Sequence, residues 1–110
     1  MNDEAYDRAL NIVTTGIVES SADNVHYNRY EATPYDVLDK FFDEYKLSRK
    51  DRVVDFGCGR GRVAFYLHNR FHVQVTGIEV IESTYRIALE NKEAYFGNRQ
   101  NGEPPIHFHF

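Results

Sequence analysis

The sequence predicts an α/β fold in which a short parallel sheet carries a ligand at the carboxyl ends of its strands. Three stretches carry that expectation. Val53-Val54-Asp55-Phe56-Gly57-Cys58-Gly59-Arg60-Gly61-Arg62 reads as a short buried strand, an acid, three glycines spaced G-x-G-x-G, and the start of an amphipathic helix. The apolar run 73–78 ends in Glu79 and reads as the next parallel strand. Ile106-His107-Phe108-His109-Phe110 alternates and reads as the start of a third. A strand, a glycine turn, a helix and a strand ending in an acid form a nucleoside-cofactor half-site. The acid can accept hydrogen bonds from both ribose hydroxyls, and the glycines let a ligand lie directly against backbone.

The elements follow in order along the 110 residues. Residues 4–20 predict one helix, with Ala5, Ala9, Leu10, Ile12 and Val13 as a partial apolar stripe and Gly16 loosening its end. Residues 20–30 are polar and turn-like, a loop into the main domain. Thr33-Pro34-Tyr35-Asp36 is a helix start: Thr33 as cap, Pro34 at the first helical position, Asp36 completing a variant capping box. The helix 34–45 then presents Val37, Leu38, Phe41, Phe42 and Tyr45 towards the sheet. Residues 52–56 are the first sheet strand, 61–69 a helix with Val63, Ala64, Tyr66 and Leu67 inward, and 73–79 the second strand. Residues 83–96 form a helix with Tyr85, Ile87, Ala88, Leu89 and Tyr95 as candidate core. Residues 97–105 are a loop carrying Gly and Pro. The domain division is 1–29, N-terminal helix and loop, and 30–110, a partial cofactor-binding domain.

The glycine spacing selects among nucleoside cofactors. A dinucleotide site requires G-x-G-x-x-G, with a pyrophosphate on the helix N-terminus. Here position 62 is Arg62 and the third glycine comes one residue early, at Gly61. A carboxylate at Asp55 repels a pyrophosphate and suits a cationic ligand. Over residues 30–110 the chain resembles the class I S-adenosylmethionine-dependent methyltransferases. Their first motif, acid-x-G-x-G-x-G, is matched by Asp55, Gly57, Gly59 and Gly61. Their acid at the end of the second strand is matched by Glu79, which stands 24 positions beyond Asp55.

The resemblance implies a Rossmann-like three-layer sandwich, present as a truncated βαβαβ half with parallel strand order 3-2-1 and an added N-terminal helix. It implies S-adenosyl-L-methionine as cofactor. Glu79 would take the ribose hydroxyls, Gly57 and Gly59 would lie against the methionine and ribose parts, and Asp55 would face the methionine end. Cys58 is a small residue between the glycines, and Val80 and Ile81 are placed to pack on adenine or in the core. Arg60 is either a ligand contact or a solvated arginine. Tyr30, Thr33 and Tyr35 precede the first sheet-covering helix, where such segments fold over the cofactor. No general base can be named, so the catalytic residues are unknown, and the methyl acceptor is unidentified.

Right-handed crossovers running in one direction place both connecting helices on the same sheet face. Parallel sheets are normally covered on both faces. The expectation is therefore a fragment of a longer enzyme, inactive in turnover, or a chain that self-associates through the uncovered face.

Composition sets further bounds. Sixteen of the residues are Tyr or Phe, so the chain is no disordered tail, and one domain is the most it can form. A net charge of −4 does not indicate a nucleic-acid surface. The single cysteine suits a reducing compartment, and the acidic N-terminus is no signal peptide. No apolar run is long enough to span a bilayer. The expectation is a soluble cytoplasmic protein. His68 and His72, and His107 and His109, form spaced pairs without a carboxylate or thiolate partner at ligand spacing, so no metal site is expected. Two other functions stay open: a non-catalytic cofactor-binding or interaction module, and a nicotinamide-dependent oxidoreductase.

Overall fold

Three apolar runs of alternating pattern give three parallel strands, and the helical-period segments between them cover one face. The computed structural model describes residues 1–16, 32–97, 99 and 101–110, together with the backbone of 18–19 and 29–30. In chain order the elements are α1 (Asp3–Leu10), β1 (Val18–Glu19), β2 (Arg29–Tyr30), α2 (Tyr35–Glu44), β3 (Arg52–Phe56), α3 (Arg62–Phe71), β4 (Gln74–Ile78), α4 (Glu82–Gly97) and β5 (Ile106–His109). The parallel sheet runs β3-β4-β5, the expected 3-2-1 series. None of the helices among the described residues is long and apolar enough to cross a membrane.

Register decides what each face carries, because residues level with one another in a parallel pair point the same way. Val53, Val75 and Ile106 are level, as are Asp55, Gly77 and Phe108. On this face α3 and α4 pack: the Phe65 ring lies 5.7 Å from Phe108 and 4.9 Å from Tyr95. The opposite face carries Val54, Thr76 and His107 in one row and Phe56, Ile78 and His109 in the next. Its outer members Val54, Phe56, His107 and His109 are exposed. The helices therefore cover one face only.

Helix α2 packs on α3, not flat on the sheet. Leu38 is buried, the Phe42 ring meets Tyr66 and Phe71, and the Tyr66 hydroxyl donates to Asp39 at 2.7 Å. Val37, Phe41 and Tyr45, expected to face the sheet, are about half exposed or more, and Phe41 and Tyr45 line a groove of about 460 Å³ beside β3. In α3 the inward side is centred on Phe65, with Val63 only half-buried; in α4 Leu89 is exposed and Thr84 and Asn91 take buried positions.

The N-terminal region departs most from expectation. The helix predicted over 4–20 ends at Leu10, where Asn11 adopts a left-handed conformation at φ 60°. Long-range partners hold the next residues in an extended path. The Asn91 side chain reads Val13 as an amide pair, accepting from its N–H at 2.9 Å and donating to its carbonyl at 3.1 Å. Asp7, fully buried on α1, accepts from the backbone N–H and the hydroxyl of both Thr14 and Thr15. These bonds outcompete helix continuation past Leu10. The segment 20–30, expected to be a loop throughout, ends in β2, which pairs antiparallel with β1 (Val18 opposite Tyr30). Thr33 does not cap α2. Pro34 occupies the cap position, and Asp3 of α1 accepts from the Tyr35 N–H at 3.2 Å.

One buried titratable group locks the back of the helical layer. His68 on α3 is wholly buried, with Nε2 2.7 Å from the Pro104 carbonyl and Nδ1 2.7 Å from the Tyr95 hydroxyl. A carbonyl can only accept, so Nε2 carries the proton and Nδ1 accepts from Tyr95. Burial, opposed by the Pro104 bond, holds the imidazole below its usual range. A depressed histidine stabilises the fold above the unfolded-state value of about 6.5 and loses that contribution as pH falls through the folded value. Denaturant melts between pH 7.5 and 5 should therefore show stability falling, with a slope approaching about 1.4 kcal/mol per pH unit, the limit for one proton. His68→Gln, whose amide can donate to Pro104 and accept from Tyr95, should flatten that slope; an unchanged slope would exclude His68 as its source.

Candidate functional site

The glycine bend is fastened to the end of the neighbouring strand by backbone and by one carboxylate. Both Gly57 N–H (2.7 Å) and Cys58 N–H (3.0 Å) donate to the carbonyl of Ile78, the last residue of β4. Glu79, next along, is only 6% exposed. Its Oε1 accepts from the Gly59 N–H at 2.8 Å and its Oε2 from the Ile81 N–H at 2.9 Å. A carboxylate has about four acceptor positions, so each oxygen keeps capacity for a further donor. The Glu79 N–H in turn donates to the His109 carbonyl at 3.0 Å, tying the carboxyl ends of β4 and β5 together.

The bend needs its glycines for two separate reasons. Gly57, Gly59 and Gly61 all take positive φ, at 74°, 59° and 100°. At Gly57 a Cβ would meet no atom within 4 Å, so the space over the backbone there is open to a ligand. Gly61 is confined instead: a Cβ would stand 2.7 Å from the Phe65 ring and 2.9 Å from Phe108. That closeness lets α3 begin directly against the sheet. Its N-cap Gly61 offers no side chain, and no acidic residue stands in its first turn.

The structure brings together Asp55, Gly57, Cys58, Gly59, Gly61 and Glu79. Asp55 is half-buried on the helix-covered face and lines a cavity of about 130 Å³ with Ala32, Thr33, Gly57, Cys58, Arg62 and Val63. Burial, and secondarily the charge of Glu79, raises its carboxyl above the usual range. Burial and the charges of Asp55 and Glu79 push the Cys58 thiol up to about 12, so it stays protonated and unreactive. Cys58 acts as a packing residue: it sits over Gly77, where a Cβ would stand 2.8 Å from Sγ and 2.8 Å from the Phe108 ring. Val80 is 81% exposed and Ile81 is partly exposed at the strand end, which excludes the core alternative for both. The Tyr30 side chain lies outside the described residues. Among the described residues no group of three or more His, Cys, Asp or Glu could hold a metal ion.

Two expectations are corrected here. Arg60 is not solvated: it is buried and donates to the Thr15 carbonyl at 3.0 Å. Tyr35 is fully buried away from the cleft, stacked on Tyr6 with ring centroids 4.1 Å apart, and its hydroxyl donates to Asp7 at 2.6 Å. Sequence reasoning missed Gly77, Asp7 and Arg62. A glycine level with Asp55 in mid-strand was the available signal for the first.

No family model matches the chain. Over 65 residues it is 35% identical to a protein-lysine N-methyltransferase of Saccharolobus islandicus (strain REY15A), covering 58% of this chain and 40% of that protein. It also superposes on the crystal structure of an RNA methyltransferase from Salinibacter ruber in complex with S-adenosyl-L-homocysteine. That match has a TM-score of 0.59 and 24% identity, over 72% of this chain and 48% of the other. The chain thus spans less than half the length of either protein. It has the Rossmann-like α/β fold of S-adenosylmethionine-dependent methyltransferases.

Gly77→Ala should force Cys58 and Phe108 apart and destabilise the fold by about 1–3 kcal/mol. The check is thermal unfolding; a melting temperature equal to wild type would show that the bend tolerates a displaced Cys58.

Proposed function

We propose that this chain is the S-adenosylmethionine-binding part of a methyltransferase. The observation that carries the reading is Glu79, buried at a strand end, bonded to the Gly59 amide of the bend and retaining acceptor capacity. An acid so placed suits the two hydroxyls of a ribose lying across the bend. The residues fit the rest of the cofactor. Open space over Gly57 admits the ligand against backbone, and exposed Val80 and Ile81 offer apolar surface for a purine.

Charge argues for a cationic cofactor over a dinucleotide. Burial first, and then the charge of Glu79, raises the Asp55 carboxyl. A pyrophosphate would add negative charge to that pair, whereas a sulfonium and an ammonium would neutralise it. The first turn of α3, free of acids and of a side-chain cap, suits the cofactor's carboxylate. When bound, S-adenosylmethionine supplies an activated methyl group for in-line displacement by a nucleophile. The chain's own part is to hold the ribose at Glu79 and the ammonium at Asp55. Orientation of the cofactor is the contribution that such a site makes to rate.

Calorimetry with S-adenosylhomocysteine and with NAD tests the reading. The homocysteine product should bind and NAD should not; the reverse would exclude the methyltransferase assignment. Glu79→Gln should weaken S-adenosylhomocysteine by about 1–3 kcal/mol, as expected for a hydrogen bond to a charged acceptor. Unchanged affinity would remove Glu79 from the site.

A further inference from the structure

The first residue after the glycine bend, Arg62, is almost completely buried at 3% exposure; it lines the Asp55 cavity and carries its guanidinium into the N-terminal region. Its guanidinium lies over the Tyr35 ring, 4.4 Å from the centroid. Nε donates to the Thr14 hydroxyl at 2.7 Å, and Nη2 reaches the Thr15 hydroxyl at 3.4 Å. Nη1 donates both to Asp3, at 3.1 Å, and to the Thr33 carbonyl, at 3.1 Å.

The direction of each bond is settled by chemistry. An arginine only donates and an ionised carboxylate only accepts. Each threonine hydroxyl therefore accepts from Arg62 and donates to Asp7, at 2.7 Å for Thr14 and 2.6 Å for Thr15. Arg62 and Asp7 form an ion pair bridged by two hydroxyls, in which every group has one allowed orientation. This bridge fixes the guanidinium, and the guanidinium fixes Thr33. Thr33 and Ala32 are the outer wall of the cavity whose inner wall is Asp55, Gly57 and Cys58.

We propose that Arg62 is a positioning residue that holds the Ala32–Thr33 wall against the glycine bend and so shapes the pocket for the amino-acid end of the cofactor. The inference rests on the cofactor reading above and assigns to the N-terminal region a part in ligand selection. Lysine cannot replace the arginine: a compact ammonium cannot span the Thr14 hydroxyl, Asp3 and the Thr33 carbonyl while lying flat on Tyr35.

The test compares two ligands that differ only beyond the thioether. S-adenosylhomocysteine carries the amino-acid end; 5′-methylthioadenosine keeps the adenosine and lacks it. In Arg62→Lys, affinity for S-adenosylhomocysteine should fall about tenfold while that for methylthioadenosine stays within about twofold of wild type. Thr15→Val, which cuts one hydroxyl bridge and leaves Arg62 in place, should show a smaller loss confined to the same ligand. It is measured alongside, so a folding failure of Arg62→Lys leaves the test intact. A parallel loss for both ligands, or no loss for either, overturns the positioning role and leaves the cofactor reading standing. Wild type that binds methylthioadenosine but not S-adenosylhomocysteine, or neither, overturns both.

Discussion

The site depends on one contact, the Glu79 carboxylate on the Gly59 amide. The three positive-φ glycines of the bend bring no side chains with which to define its shape. What holds it is the end of β4: two amides on the Ile78 carbonyl and one on Glu79. A buried carboxylate is costly unless its oxygens are hydrogen-bonded, and backbone amides on both oxygens meet that condition here. In the proposed function the same carboxylate also takes the ribose, so that one side chain would serve both local folding and ligand binding.

The N-terminal region is built on the same principle at larger scale. Asp7 takes five donors from Thr14, Thr15 and Tyr35. Burial alone would raise its carboxyl, yet the bonds from Thr15, Tyr35 and Thr14 outweigh it and leave it below the usual range. Burying so many polar groups is tolerable only because the set is closed, with Arg62 and Asp3 completing it. A half-made version would be worse than an apolar core, which explains why the helix yields at Leu10.

These two networks also explain what could be read from the chain and what could not. The strands and the helices of the sheet layer follow from local periodicity, and their bounds lie within a residue or two of expectation. The acid–glycine motif and Glu79 were legible because spacing along a strand–turn–helix dictates proximity. The fate of residues 11–16 was not legible, because the partners that stop the helix, Asn91 and Arg60, lie 78 and 45 positions away. The Pro34 helix start misled for the same reason: Thr33 has a capping side chain, yet the acceptor at Tyr35 N–H comes from Asp3, 32 residues earlier. Nothing local marks Arg62 for burial; only the distant threonines and Asp7 make it possible.

Asp55 brings in the electrostatic side of the site. It is half-buried and meets no hydrogen-bond donor among the described residues, so nothing there offsets its desolvation. Its raised carboxyl means that the ionised form costs the folded state free energy at neutral pH, the opposite of Asp7. A group kept at such a cost is unlike a structural acid, which acquires donors as Asp7 does. Such an acid suits the proposed site, where the ligand's own cation would be its partner. Glu79, whose charge adds to the strain on Asp55, sharpens the preference, since any ligand that spans the bend meets both carboxylates together. The two acids at this end of the sheet thus differ through their surroundings: Glu79 is satisfied by amides, whereas Asp55 is desolvated without a donor among the described residues.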